Sequence, residues 1–517
     1  MLLSVNPFKS LNIYSLEMAQ IYQDINIVER PPHIFAVAEE AFILSRNSEH
    51  PPNILLSGHS GSGKTEAVKL LSQYLTTPQR RQGDKILQLL DFFKVLESFG
   101  HAKTVLNRNS SRFGQSLQVF LQRGLMVGCS VSHYLLEKSR VVFQALSERG
   151  FHVFYELLQG LPENEKQSLY LQEPETYYYL NQGRACDLPG KNDKIDFELL
   201  GKCLRGIGLT DSQLTSIWAI LSAILQLGNI CFTSFQRDAF GSAAGFRITE
   251  IRIVASLLQI SPEELQKAIT QRVTMTSYDQ VLSPLTVEAS IDIRDTIAQS
   301  LYALLFDWLL EKGNDWLRPK ETDSSFGIID ICGFENLGVN SLEQLCRNFA
   351  NDQIQCHSME RLMSQEKAEY AKDGLCWIPL SEEGHLSCLG LLTDRPHGIF
   401  HILEEQTELP QATDHTFLQK CHYHHGDSNI YIKPKLPLPV FTMQHYSGLV
   451  TYQVHNFLSK NKDRLPTVAR DVLAQSRLRV IKIFCFISSA VSHVSSSCLC
   501  DIVKFLPSLF SICLFFF

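Results

Sequence analysis

The sequence has no CxxC cysteine pair, no excess of basic charge, no internal repeat, no low-complexity linker and no apolar run long enough to cross a bilayer. Each absence removes a class. Fourteen cysteines scattered singly over 517 residues are the usage of reduced thiols, not of a disulfide framework, and point to a cytoplasmic compartment. Lys and Arg number 47 against 54 Asp and Glu, a net charge of −7, so no global field draws the chain to nucleic acid or anionic lipid. The first residues, MLLSVNPFKSLNIY, reach Asn6, Pro7 and Lys9 before a secretory apolar segment can develop. At 44% hydrophobic and 20% charged residues, the composition is ordinary for a folded protein.

Residues 480–517 stand apart: 25 apolar residues, eight serines and three charges, Lys482, Asp501 and Lys504. Their two apolar stretches, 480–491 and 502–517, fall short of the roughly 20 residues a spanning helix needs, and Pro507 interrupts the second. A membrane anchor is not expected. We read 477–517 as an apolar tail unrelated in character to residues 1–476, the alternative being a further core element.

Before that tail the pattern is α/β. NILLS (53–57) is a buried-strand run, followed by a glycine-rich turn and then TEAVKLLSQYL (65–75), whose apolar residues recur at helical spacing. Residues 116–122, 126–136 and 326–331 read as further strands, and 214–227, 291–311 and 341–371 as long helices. A central mixed sheet flanked by helices follows.

GHSGSGKT (Gly58, His59, Ser60, Gly61, Ser62, Gly63, Lys64, Thr65) fits G-x-x-x-x-G-K-[ST] between that strand and that helix. Glycines let backbone N–H groups converge on phosphate oxygens at a helix N-terminus, Lys64 suits the β- and γ-phosphates, and the Thr65 hydroxyl suits Mg²⁺. Two other segments carry matching chemistry. NRNSSRFGQ (107–115) packs Asn, Ser, Ser and Arg into one loop, and DICGFE (330–335) sets Asp330 at a strand end, with Gly333 and Glu335 beyond it.

These three segments together resemble the phosphate loop, switch I and switch II of a myosin motor head. VLESFGHAKTVLNRNSSRFG (95–114), EKSRVVFQALSERGFHVFYELLQGL (137–161), IWAILSAILQLGNICF (217–232), RDTIAQSLYALLFDWLL (294–310), SLEQLCRNFANDQIQ (341–355), RPHGIFHILEEQ (395–406) and HYSGLVTYQVHNFLSKNKDRL (445–465) resemble myosin segments in the same order. The likeness covers residues 4–476 and suggests an unconventional myosin near class XV. It implies a P-loop NTPase-type sheet, ATP and Mg²⁺ as ligands, actin filaments as partner, and a cytoskeletal motor ATPase. Kinesin switches read differently from SSRFG and DICGFE.

By matching positions, Asn6, Pro7 and Tyr14 would lie beside the adenine, with Asn107 and Asn109 as the switch I asparagines. Thr65, Ser111 and Asp330 would form the Mg²⁺ shell. Ser110 would position the attacking water, Gly333 would face the γ-phosphate, and Arg112 would pair with Glu335 to exclude bulk solvent. The helix from Ser341 would relay switch II movement, and Asp279 would contact actin. His59 and Gln115 depart from the usual Glu and Lys. The resemblance also implies an incomplete head, without the N-terminal subdomain, converter or calmodulin-type light-chain helix. The alternative is a catalytically silent nucleotide-binding or actin-interacting fragment. CHYHHGD (421–427) is expected to be a surface histidine-rich loop, and Arg80, Arg81 and Lys85 a solvated one.

Overall fold

A computed structural model describes residues 2–9, 11–24, 31–47, 51–234, 243–246, 248–275, 280–378, 383–462, 465–481 and 513–516. At its centre, strand β1 (Asn53–Leu56) feeds the glycine-rich loop and helix α1 (Lys64–Leu75). It lies in a sheet with β2 (Gly114–Gln122), β3 (Leu125–Tyr134), β4 (Ser324–Asp330) and β7 (Cys513–Phe516), in the order β7-β1-β4-β2-β3. β1 is parallel to β4 and to β7, whereas β2 is antiparallel to both β4 and β3. The expected mixed sheet is present. β2 and β3 turn at Arg123 and Gly124, both at positive φ, the backbone that a tight hairpin with right-twisted strands requires.

Alternation along the central strands divides the interior in two. Ile54, Leu56, Phe326 and Ile328 enter one large core, while Leu55 and Ile329 enter a second on the opposite face. Helices α2 (Asp211–Gly228) and α3 (Val287–Leu317) pack into the first core. α2 is apolar nearly all round, as a fully enclosed helix must be. Helix α4 (Leu342–Lys372) and a sheet containing β5 (Val440–His445) and β6 (Gly448–Gln453) build the second. α4 begins inside the protein and is exposed from Ser364 onward.

Three local expectations change. Residues 421–425 of the histidine-rich stretch form the last turn of a helix, Asp414–His425, with Cys421 buried and His422 hydrogen-bonded to Tyr431 at 2.8 Å. Arg80 is mostly buried, its guanidinium bonding Glu39 at 2.7 Å, and Arg81 pairs with Asp84, while Lys85 is exposed as expected and sits over the Trp316 ring. Residues 137–161, whose resemblance is to a strand and helix following switch I, hold instead a short 3₁₀ turn, Lys138–Val141, and a helix, His152–Gly160. Leu478, Val480 and Ile481 pack into the large core. Among the described residues, no helix is long and apolar enough to cross a membrane.

Candidate functional site

The phosphate loop runs from the C-terminal end of β1, where ligands of parallel α/β sheets bind. Gly58, Gly61 and Gly63 have φ of 144°, 85° and 102°, a region open to glycine and costly for other residues. Lys64 folds back over the loop, its Nζ donating to the carbonyls of Gly58 and His59 at 2.8 Å each. Ser62 Oγ lies 3.5 Å from the same ammonium. The Asn6 amide donates to the Gly61 carbonyl at 3.1 Å, so the N-terminal segment does reach the loop. Pro7 follows on the surface, and Tyr14 packs its ring on His33 and Phe35.

β4 ends at Asp330, directly beside α1. The Thr65 hydroxyl donates to Asp330 Oδ2 at 2.7 Å, and the Gln115 amide approaches the same oxygen at 3.4 Å. Burial pushes the Asp330 carboxyl up, against Lys64, Thr65 and Gln115, and burial pushes the Lys64 ammonium down, against Asp330. A divalent cation beside Asp330 and a phosphate beside Lys64 would each favour the charged form of its neighbour, so the donor set of Thr65, Asp330 and Lys64 fits Mg²⁺ and a nucleoside polyphosphate. Ser111, the third expected metal residue, spends its hydroxyl on the Phe113 carbonyl at 2.7 Å.

Past Asp330, the chain crosses the phosphate loop at very close range. A methyl group at Gly333 would come within 2.5 Å of the Ser60 nitrogen and 2.6 Å of the Gly58 carbonyl. Only glycine fits there. Ser60 Oγ in turn lies 3.3 Å from Ser110 Oγ, which accepts from Arg112 Nη1 at 2.9 Å. All three segments thus converge within a few bonds of one another.

Arg112 and Glu335 form the expected pair, bidentate at 2.7 and 3.1 Å. The surrounding network is larger than sequence reasoning anticipated. Arg112 Nε also binds Glu137 at 2.5 Å, Arg140 binds Glu137 at 2.8 Å, and Arg347 of α4 binds Glu335 at 3.0 Å and approaches Glu137 at 3.3 Å. Gln344 adds a bond to Glu335 at 3.3 Å. Burial raises the Glu335 carboxyl, but Arg112 and Arg347 overcome it and hold it down at about 2. Glu137 is likewise held well below the carboxylate range by Arg112, Arg140 and Arg347 against its burial. The acidic and basic members at 137 and 140 carry a local signal, opposite charges three residues apart; Arg347 carries none.

The two switch I asparagines face different ways. Asn107 Oδ1 accepts the Asn109 N–H at 3.1 Å, and Asn107 sits beside Gly61. Asn109 turns its carbonyl inward to His101 Nδ1 at 3.1 Å and His152 Nε2 at 3.2 Å. Asp279 lies outside the described residues.

Comparison with known proteins identifies the family of the chain. The family described as myosin head (motor domain) matches residues 1–495. The chain is 51% identical over 489 residues to human unconventional myosin-XVB, covering 93% of this chain and 16% of that protein. It is 48% identical to human unconventional myosin-XV (93% and 14%) and 37% identical to the myosin-I heavy chain of Dictyostelium discoideum (93% and 20%). The chain therefore spans a fifth or less of the length of these relatives. A glycine-lined phosphate loop crossed by Gly333, a Thr65–Asp330 pair and a buried Arg112–Glu335 bridge sit in a sequence matched by the motor-domain family almost throughout, and this chain belongs to the myosin head family.

Proposed function

We propose that this chain binds Mg·ATP and hydrolyses it by in-line attack of water on the γ-phosphate, in an actin-based cytoskeletal motor of the cytoplasm. The observation that carries the reading is the convergence of Ser60, Ser110, Arg112, Gly333 and Glu335 around the phosphate loop. Lys64 and the loop N–H groups hold the phosphates, and Asn6, Pro7, Tyr14, Asn107 and Asn109 line the approach of the nucleoside. Mg²⁺, when bound through Thr65 and Asp330 with Ser111 nearby, would neutralise charge on the transferred phosphoryl group. The Ser110 hydroxyl, oriented by Arg112, is placed to hold the attacking water, and the Arg112–Glu335 bridge closes the rear of the site against bulk solvent. Loss of the γ-phosphate removes the anion that the loops surround, and α4, tied to Glu335 through Arg347 and Gln344, carries that change outward to an actin-binding face.

The test is Mg·ATP turnover of the 517-residue chain, with and without actin filaments. Turnover accelerated by filaments is expected. Arg112→Ala is expected to lower turnover at least a hundredfold while leaving ATP binding within a few-fold, since the bridge acts behind the phosphate. A well-folded chain that binds ATP without turning it over would return the reading to a silent nucleotide-binding fragment.

A further inference from the structure

Behind Glu335 the structure holds a second set of contacts, independent of the arginines. Asn348 of α4 grips the Glu335 backbone from both sides: its Oδ1 accepts the Glu335 N–H at 2.9 Å and its Nδ2 donates to the Glu335 carbonyl at 2.8 Å. The other Asn348 N–H donates to the Tyr452 hydroxyl at 2.8 Å. Tyr452, on β6, lies 2.7 Å from His445 Nε2 on β5, and His445 Nδ1 lies 2.6 Å from Asp352 Oδ2, one turn further along α4. All five residues are buried.

The proton directions along this line are dictated from its far end. Asp352 receives the Tyr446 backbone N–H at 3.2 Å and the Cys388 thiol at 3.2 Å, so it is an acceptor, and His445 must carry its proton on Nδ1. In the neutral ring Nε2 is then an acceptor, and Tyr452 donates to it. The Tyr452 oxygen then accepts from Asn348, which fixes the amide with nitrogen toward Tyr452 and oxygen toward the Glu335 N–H. A flipped amide would oppose donor to donor at Glu335. The same Asp352, Cys388 and His445 are close enough to hold a metal ion, yet both histidine nitrogens are already engaged.

We propose that Tyr452, His445 and Asp352 are positioning residues for Glu335: the hairpin β5–β6 sets the orientation of the Asn348 amide and thereby holds the backbone of the glutamate that closes the phosphate site. They touch no reacting atom. The role in turnover rests on the ATPase reading above; the role in holding Glu335 does not.

The experiment is hydrogen exchange on the full chain, resolved to the Glu335 amide, in Tyr452→Phe, in Asp352→Asn and in the control Thr451→Val. The control removes the hairpin's Thr442–Thr451 side-chain bond of 2.7 Å but leaves the line intact. We expect the Glu335 amide to exchange at least tenfold faster in the first two variants, with the amides of β4 unchanged, and at the original rate in Thr451→Val. Turnover is expected to show kcat about tenfold lower with KM for ATP within twofold. A Glu335 amide that keeps its rate in Tyr452→Phe, or one that quickens only in step with all of β4, would overturn the proposal. Accelerated exchange in a chain that never turns over ATP would sustain it and remove the ATPase reading instead.

Discussion

At the scale of single residues, Arg112 is the most constrained side chain of the site: fully buried, it satisfies Glu137, Glu335 and Ser110 at once. Charge balance there is collective. Glu137 faces three guanidiniums and its loss leaves them under-compensated in a region water does not reach. Breaking one member of a buried ionic set costs about 3–5 kcal/mol. Glu137→Gln is therefore expected to lower the urea midpoint by that amount of stability, a larger loss than substitution of the exposed Asp84, partner of Arg81. Of these residues, Arg112 and Glu335 were legible because each sits in a short contiguous motif whose chemistry is interpretable without a fold. Arg347 was not, and Glu137 only as a local partner of Arg140, because what makes them functional is a meeting of segments separated by more than two hundred residues.

At the scale of elements, the exit of β4 crosses the phosphate loop at close range. Gly333→Ala is expected to force the two backbones apart at a cost of about 1–3 kcal/mol. Equilibrium titration with a fluorescent ATP analogue should show it as weaker binding, while the far-ultraviolet spectrum stays unchanged. Strands β1, β2, β3 and β4 and the three long helices were legible from periodicity, with ends shifted by a few residues. The stretch 421–427 was misread because its histidines look solvated in sequence. Its helix is decided instead by Cys421 entering the second core and by Tyr431 capturing His422. Arg80 was misread for the same reason, since Glu39 comes from a distant helix.

At the scale of the whole molecule, stability is expected to fall in two steps as the solution is acidified. Burial lowers His101 to about 4 and holds His152 well below its ordinary value, and both donate to Asn109 as neutral rings. In the unfolded chain they protonate near 6.5. The contribution of His101, about 3 kcal/mol, is complete above that pH and is lost as pH falls from about 6.5 toward 4, and that of His152 is lost in the same direction. Glu335 acts lower: its carboxylate, depressed to about 2, stabilises the fold above the unfolded value and loses that contribution as pH falls from about 4.5 toward 2. Urea midpoints measured from pH 8 to 3 should show the first decline, and His101→Gln should flatten it. None of this was visible in sequence, where nothing reveals that residues 101 and 152 share one asparagine. The division into two cores was equally hidden, because the apolar run Ile54–Leu56 does not say which segments meet each face of the strand.

The helix α4 is gripped at Asn348 and Arg347 and is free of the core by Ser364. From Asn348 to Lys372 it measures about 36 Å at helical rise, so a tilt of about 10° at the grip sweeps the far end through about 6 Å. The helix has the mechanical advantage of an oar in its rowlock: displacements too small to change any hydrogen-bond partner at the phosphate site become, at its outer end, as long as a full helical turn.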